Sequence, residues 1–198
     1  VEFVNISPLK TDIAEIFEPE WLTIRPNTDA AMMLALAYTL VTEKLYDKNF
    51  ISTHTVGLDE FLPYLNGDSD GQPKSAEWAA RITGVPAKSI IDLARRMADS
   101  RTMISTAWSL QRSDHGEQPI WLTVILASLL GQIGLPGGGF GIGYGCENGI
   151  GNPVKIFKWP ALSQGTNIVK EYIPVARIAD MLLSPGGKFD YDGSALTY

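Results

Sequence analysis

The segment "AWSLQR", residues 107–112, brings four side chains of different chemistry close together in the chain. Trp108 offers a broad indole face, and Ser109 and Gln111 add a hydroxyl and an amide. Arg112 adds a guanidinium, which can hold a phosphate or a polar heterocycle through two parallel hydrogen bonds. The indole of Trp108 can stack on a ring of the same ligand. The segment is therefore a candidate ligand-binding loop. An ordinary loop, with the tryptophan in the core and the arginine in solvent, is the alternative.

A second candidate site lies in "NTDAAM", where Asn27, Thr28 and Asp29 stand at the start of an apolar helical pattern. A carboxylate can accept two parallel N–H bonds, which is the pattern that the edge of a guanine ring presents. Asp29 is thus a candidate purine-binding residue. A plain helix cap is the alternative, because Thr28 or Asp29 also suits the exposed N–H groups at a helix start. Ile6 and Ser7, at the end of the first predicted strand, complete the candidate residues.

His115 and the single cysteine, Cys146, are weaker candidates for catalysis. His115 lies beside Asp114 and Glu117, a pattern that is also typical of a surface ion pair. No triad can be assembled around it, and no base is evident that would activate the thiol. The single cysteine excludes an internal disulfide and a multi-cysteine zinc site, and two histidines argue against a histidine-rich metal cluster.

Glycine makes up ten of the 23 residues from 131 to 153. No register gives the G-x-G-x-x-G spacing of a dinucleotide loop, and no Gly-Lys-Ser/Thr follows, so simple phosphate loops are excluded. The stretch follows an apolar helix predicted over residues 119–133, with Gly134 at its C′ position. Large apolar residues within the stretch favour a packed loop over a flexible linker: Leu135, Phe140, Ile142 and Tyr144.

The elements that must position these residues alternate along the chain. Apolar and β-branched runs predict strands over residues 1–7, 21–26 and 101–106. Helical spacing predicts a short helix over 11–17 and longer helices over 27–47, 75–82, 86–100 and 119–133. This alternation predicts an α/β fold with mostly parallel strands, followed by a loop-rich tail. Ligands of such sheets bind beyond the carboxyl ends of the strands, where the candidate residues fall.

Length and composition bound the possible functions. The 198 residues are 45% hydrophobic, enough for one good core or two small ones. A net charge of −6 argues against a nucleic-acid partner. No apolar run has the length of a membrane span, so membrane insertion is not expected. The opening "VEFVNIS" and the closing "GSALTY" are typical of a piece cut from a longer polypeptide.

Four segments together resemble the molybdopterin oxidoreductases of the dimethyl sulfoxide reductase family. They are "RPNTDAAMMLALAYTLVTEKLYD", "AWSLQRSDHGEQP", "LLGQIGLPGGGFGIGYG" and "IPVARIADMLLSPG". The likeness covers nearly the whole chain and is greatest to the S-oxide and N-oxide reducing branch, which includes biotin sulfoxide reductase and trimethylamine N-oxide reductase. Relatives often have Gly where this chain has Ala107, and Asp or Asn where it has Ser7.

The resemblance implies a fragment of a bacterial catalytic subunit that binds a Mo-bis(molybdopterin guanine dinucleotide). Residues 1–134 would form an α/β cofactor-binding domain with a dinucleotide-fold-like sheet and flanking helices, and residues 135–198 a glycine-rich loop and extension packed on it. Carried over by position, Ile6 and Ser7 would lie beside the guanosine. The guanine would contact Asn27, Thr28 and Asp29. The pterin and the substrate funnel would be reached by Trp108, Ser109 and Arg112. Trp108 and Arg112 are also the catalytic candidates.

The reaction implied is reduction of an S-oxide or N-oxide by oxygen-atom transfer, in which the cofactor supplies the chemistry and the protein supplies binding and orientation. The molybdenum ligand, a serine in this branch, would lie in a segment outside these residues. The implied partners are the remaining domains of the same polypeptide, a small-molecule oxide and an electron-donor protein. Both the bacterial cytoplasm and the periplasm remain open as the compartment.

Two other functions remain open. One is a different enzyme of the same superfamily, such as a formate dehydrogenase or a nitrate reductase. The other is a non-catalytic α/β module that keeps the fold for contacts with a partner. The sequence from "WSLQR" to "HGEQ" favours the oxide-reductase branch.

Overall fold

A computed structural model of the chain describes residues 1–143, 160–163, 165–166, 168, 173–191 and 194–197. The chain divides into two compact units, Val1–Val154 and Lys155–Tyr198. The predicted division at residue 134 stays a prediction about domains, because compactness alone does not define one.

The described part of the first unit contains six α-helices, three short 3-10 helices and four strands. The strands are β1 (Val4–Ile6), β2 (Glu20–Leu22), β3 (Met103–Thr106) and β4 (Gly139–Ile142). The α-helices are α1 (Asp29–Thr42), α2 (Lys48–His54), α3 (Leu58–Asn66), α4 (Ala76–Thr83), α5 (Ala87–Asp99) and α6 (Glu117–Leu129). Short 3-10 helices cover Lys10–Asp12, Glu15–Phe17 and Trp108–Arg112.

Helix α1 is the centre of the core. Its sequence "DAAMMLALAYTLVT" is apolar on nearly all sides, and every residue from 31 to 37 is buried. The helix packs against α3, α4, α5 and α6, which explains why no polar face is needed. The one buried hydroxyl near its end, that of Thr39, donates to the Ala35 carbonyl at 2.9 Å. The Ala and Met residues on nearly all sides of the helix are thus explained by its deep burial.

The predicted α/β class is confirmed, but the strands do not form one continuous sheet. β1 pairs with β2 in parallel, with Ile6 opposite Leu22, and β3 pairs with β4 in parallel, with Thr106 opposite Ile142. These two pairs are separate two-stranded sheets among the described residues. Each pair places two carboxyl strand ends at one edge.

Several predicted boundaries need correction. Helix α1 ends at Thr42, before the predicted residue 47, and the chain then forms α2 and α3, which the sequence analysis did not predict. The predicted short helix over 11–17 is two 3-10 turns. Helix α6 ends at Leu129, so Gly131, with φ +66°, takes the place after the helix that was assigned to Gly134.

The glycine-rich tail is not simply a loop, because its residues 139–142 form β4. The segment before β4 is fastened to the start of β3. The side chain of Gln132 accepts from the Thr102 amide at 2.7 Å and donates to the Ser100 carbonyl at 2.8 Å, and Arg101 donates to the Pro136 carbonyl at 2.8 Å. These hydrogen bonds fasten the segment to the start of β3, although its anchor Leu135 is exposed. The packed loop stays a prediction for the stretch as a whole, because its remainder lies outside the described residues.

The second unit contains, in its described part, a 3-10 turn at Val175–Arg177, helix α7 (Ile178–Leu183) and an antiparallel pair, β5 (Lys188–Tyr191) and β6 (Ser194–Thr197). Regular elements in this unit also depart from the predicted loop-rich tail. Among the described residues, no helix combines the length and apolarity needed to cross a membrane.

Candidate functional site

The first group of predicted site residues lies where β1 and β2 end. Ser7 directly follows β1, and its amide donates to the Leu22 carbonyl at 3.3 Å, which extends the parallel pairing by one bond. The Ser7 hydroxyl donates to the Asp12 carboxylate and accepts from the Leu9 amide at 3.0 Å. Ser7 is buried, so its side chain fastens the loop after β1 and offers no free donor to a ligand. Ile6 packs against the apolar core, which leaves only its backbone for contact with a ligand.

The turn between β2 and α1 is held by hydrogen bonds to its own chain and to α4. Asn27 adopts φ +63°, a left-handed conformation that asparagine tolerates better than most residues. The Thr28 hydroxyl donates to the Arg25 carbonyl at 2.7 Å. Arg25 in turn donates through one guanidinium nitrogen to the carbonyls of Arg81 and Ile82, at 2.9 and 3.0 Å. The start of α1 is thus fixed relative to the end of α4.

Asp29 is the first residue of α1 and has a half-buried carboxylate. Neither Thr28 nor Asp29 caps the helix with its side chain. Thr28 occupies the N-cap position, but its side chain accepts no hydrogen bond from the first turn. The Asp29 carboxylate accepts a hydrogen bond only from its own backbone N–H. Burial raises the pKa of the Asp29 carboxyl above its ordinary value, and that backbone hydrogen bond lowers it in part. No lysine or arginine among the described residues pairs with this carboxylate. A partly desolvated acceptor without a partner is unfavourable unless a ligand or another chain segment supplies donors.

The second group follows β3, where "WSLQR" forms the 3-10 helix Trp108–Arg112. Side chains three residues apart align along a 3-10 helix, so Trp108 and Gln111 share one side and Ser109 and Arg112 another. All four side chains are exposed. Within the part of the chain that the structure describes, none of them has a hydrogen-bond or ion-pair partner. The tryptophan is therefore not the core plug that the ordinary-loop alternative required.

Two glycines shape this 3-10 helix by close approach. Gly143 directly follows β4, and its amide donates to the Thr106 carbonyl at 2.9 Å. A Cβ at Gly143 would overlap the indole of Trp108. Gly116 lies against the backbone of Gln111 in the same way, after His115 turns the chain with φ +52°. Neither glycine was predicted from the sequence to be part of the site.

A groove of about 570 Å³ lies beside the 3-10 helix. Its walls combine two indoles, aliphatic side chains and two polar groups: Trp108, Gln111, Glu117, Ile120, Trp121, Val124 and Ile142. Trp121 is 63% exposed and Trp108 is 45% exposed, so both indole faces are open to a ligand or another chain segment. Trp108 and Gln111 of the candidate loop line this groove, whereas Ser109 and Arg112 do not.

One buried polar atom at the same strand end lacks a partner. Thr106 is the last residue of β3, and its buried hydroxyl makes no hydrogen bond within the described residues. Buried hydroxyls are usually satisfied, so this one is a candidate contact for a ligand, a water molecule or another segment of the chain. Its position directly before "AWSLQR" is the only sequence signal that would have identified it.

The weaker candidates remain without a catalytic arrangement. The exposed His115 has its ring nitrogens 3.9 Å from the Asp114 carboxylate and 3.7 Å from that of Glu117, which is the surface pairing considered above. No cluster of His, Cys, Asp and Glu in the described parts of the chain could hold a metal ion. Cys146 lies outside the described residues.

The fold and the site together define the class of protein. It is a mixed α/β protein whose unpartnered polar groups follow the carboxyl ends of two parallel strand pairs, where α/β proteins bind ligands. The molybdopterin oxidoreductase family model matches residues 1–185. The chain therefore belongs to the molybdopterin oxidoreductase family.

Curated relatives are oxide reductases by name. The chain is 48% identical over 198 residues to a biotin sulfoxide reductase from Cereibacter sphaeroides, covering 100% of this chain and 27% of the relative. It is 48% identical over 208 aligned positions to a dimethyl sulfoxide/trimethylamine N-oxide reductase from the same organism, covering 98% of this chain and 25% of the relative. The chain thus spans about a quarter of the length of these relatives.

Among solved structures, an acetylene hydratase from Pelobacter acetylenicus matches 67% of this chain and 18% of its own, with a TM-score of 0.48 and 23% identity.

Proposed function

We propose that this chain is the part of a molybdenum-dependent S-oxide or N-oxide reductase that binds the guanosine end of a Mo-bis(molybdopterin guanine dinucleotide). Family membership supports a molybdopterin cofactor, and the names of the relatives support the oxide-reductase branch over formate dehydrogenases and nitrate reductases. The substrate would be a small S-oxide or N-oxide, and the electrons would come from a donor protein. The cofactor, when bound, supplies oxygen-atom transfer between the oxide and water.

The carboxylate of Asp29 is the observation that carries this proposal. It is half-buried at the start of α1, has a raised pKa because of desolvation, and has no hydrogen-bond or ion-pair partner among the described residues other than its own backbone N–H. The N1–H and the amino group of guanine are two parallel donors, and they would satisfy it. Asn27 and Thr28 keep the turn in place, so the acceptor is oriented before the ligand arrives. The carboxyl ends of the two parallel strand pairs would then form the two parts of the cofactor site in a dinucleotide-fold-like domain.

Trp108, Ser109 and Arg112 have a different part in the proposal. They are exposed and unpartnered after β3, while Asp29 lies after β2. Two separate groups suit a long ligand, whose purine end meets Asp29 and whose pterin end meets the 3-10 helix. There the indole offers a stacking surface, and Ser109 and Arg112 offer hydrogen-bond donors. The orphaned Thr106 hydroxyl fits a ligand that reaches this strand end.

Asp29→Asn tests the proposal. The amide cannot accept from two guanine donors as the carboxylate does, so cofactor binding should weaken roughly 10- to 150-fold, the equivalent of about 1.5–3 kcal/mol for hydrogen bonds to a charged group. Molybdenum and released GMP are measured in the purified protein under limiting cofactor supply. Asp59→Asn is the matched control, because Asp59 also lies in the first turn of a helix and is exposed.

Equal molybdenum and GMP contents in the two variants would refute the role of Asp29. A wild-type protein that contains neither would refute the proposed function itself and would favour the non-catalytic module. Turnover of formate or nitrate in place of dimethyl sulfoxide and trimethylamine N-oxide would assign the protein to another branch of the family.

A further inference from the structure

The contact between Gly143 and Trp108 links the end of β4 to the 3-10 helix after β3. Gly143 has φ +72° and is half-buried, and a Cβ built on it would overlap the indole at Nε1, Cδ1 and Cε2. These atoms belong to the edge of the indole that carries the N–H. The indole therefore lies directly over the backbone of Gly143, in space that any other residue would fill.

This close approach determines one wall of the groove. Trp108 and Ile142 both line the groove, and Gly143 is the residue directly after Ile142. The parallel pairing of β3 with β4 places Thr106 opposite Ile142, so the residues that follow each strand must meet. Without a side chain at 143, the indole can settle on the strand end rather than turn toward solvent.

Gly134 provides the natural comparison within the same glycine-rich segment. It also has a positive φ, +87°, but a Cβ built on it would meet nothing within 4 Å. Alanine at 134 would therefore introduce the strain of a left-handed backbone and no collision. Alanine at 143 would introduce both.

We propose that Gly143 is a positioning residue for Trp108: the missing side chain allows the indole to lie over the end of β4 and fixes the Trp108 wall of the groove. This inference rests on the proposed function in one respect, that the Trp108 wall contacts the pterin end of the cofactor. The geometric part concerns only residues of this chain. It can be tested whether or not a cofactor is bound.

The first experiment measures the position of the indole in the intact protein as isolated. The protein is labelled with 5-fluorotryptophan, and the 19F resonance of Trp108 is identified by its loss in Trp108→Phe. Gly143→Ala should shift this resonance, because the indole is displaced, whereas Gly134→Ala should leave it in place. An unshifted resonance in folded Gly143→Ala would overturn the proposal.

The second experiment keeps the proposal falsifiable if Gly143→Ala folds poorly. Trp108→Ala removes the indole, so the collision disappears and only the backbone strain remains. In that background, Gly143→Ala and Gly134→Ala should lower Tm by the same amount, whereas in the wild-type background Gly143→Ala should lower it more. The role through Trp108 would be overturned if Gly143→Ala lowered Tm more than Gly134→Ala by the same margin in both backgrounds. It would also be overturned if the Trp108→Ala/Gly143→Ala protein failed to fold.

The functional consequence is measured separately. With cofactor content normalised, Gly143→Ala should lower kcat/KM for the oxide substrate at least threefold relative to Gly134→Ala, and in the Trp108→Ala background the two glycine variants should have the same activity. If the resonance shifts and the Tm pattern is as expected but kcat/KM does not change, Gly143 positions the indole and the Trp108 wall does not contact the cofactor. A protein without molybdenum and GMP would instead refute the proposed function, and the resonance and Tm results would still stand.

Discussion

The charge of the Asp29 carboxylate lowers the stability of the folded protein, although the proposed function depends on it. A negative charge at a helix start gains about 0.3–1 kcal/mol from the helix dipole. Burial nevertheless raises the pKa of Asp29, so the desolvation of the charge outweighs the dipole and the local hydrogen bond. The sequence alone predicted the position of this acid at a helix start. It could not predict the burial, which depends on how the turn packs against α4.

Asp29→Asn should therefore stabilise the cofactor-free protein at neutral pH, although it weakens cofactor binding. A folded-state pKa above the ordinary value of 3.8 means that the stability contributed by Asp29 is fully present below that value and is lost as the pH rises through the folded-state pKa. The uncharged amide avoids that loss. Tm is measured from pH 3 to pH 7 for both proteins, and the advantage of Asp29→Asn should shrink as the pH falls. A variant that is less stable at pH 7 would contradict this account.

Ser7 shows the limit of what a residue type can predict. Its position after a short strand was correct, but its hydroxyl is occupied by Asp12 and by the Leu9 amide. The sequence could not predict this, because Asp12 reaches back from a 3-10 turn whose path depends on the whole loop. In the proposed cofactor site, Ser7 therefore acts through the shape of the loop after β1 rather than through a side-chain hydrogen bond.

Among the elements, β4 was the most difficult to predict. Its sequence "GFGI" has low strand propensity, because glycine has no side chain to pack and loses more conformational freedom than other residues. It forms because β3 provides a parallel partner and because the preceding segment is fastened by Gln132 and Arg101. Helix α5 was predicted to within one residue at each end, because its apolar spacing and its start after Pro86 are local signals, whereas α1 was predicted five residues too long at its carboxyl end.

Gln132→Ala should destabilise the protein by about 1–3 kcal/mol, because the Thr102 amide loses its acceptor and the Ser100 carbonyl loses a donor. Gln118→Ala is the control, since Gln118 is exposed and contacts only the neighbouring Glu117. Its effect should lie within about 0.5 kcal/mol. Urea unfolding of both variants measures the difference. Equal stabilities would show that the attachment of the glycine-rich segment to β3 contributes little.

The molecule as a whole separates its stable core from its candidate site. Helix α1 and its neighbours bury the apolar residues, while the predicted site residues lie at two strand edges around them. The alternation of strands and helices predicted parallel strands with the candidate residues beyond their carboxyl ends; that these residues bind a ligand stays a prediction. The alternation could not predict that the strands divide into two pairs, because strand order depends on contacts between distant segments.

This separation predicts that a site residue can be removed without loss of stability. Arg112 is exposed after β3 and makes no ion pair or hydrogen bond within the described residues. Arg112→Ala should therefore change the free energy of unfolding by less than about 0.5 kcal/mol. If the guanidinium contacts the cofactor or the oxide, kcat/KM should fall roughly 10- to 150-fold, since hydrogen bonds to charged groups contribute about 1.5–3 kcal/mol.

Arg101→Ala is the matched control for this prediction, because Arg101 is also an exposed arginine but precedes β3, at the strand end opposite Arg112. Its hydrogen bond to the Pro136 carbonyl at 2.8 Å lies within the fold, so its loss should lower the free energy of unfolding and leave kcat/KM of the folded protein unchanged. Both quantities are measured on the intact protein, with rates normalised to molybdenum content. Parallel losses of stability and turnover in Arg112→Ala would mean that the guanidinium supports the loop and does not reach the cofactor.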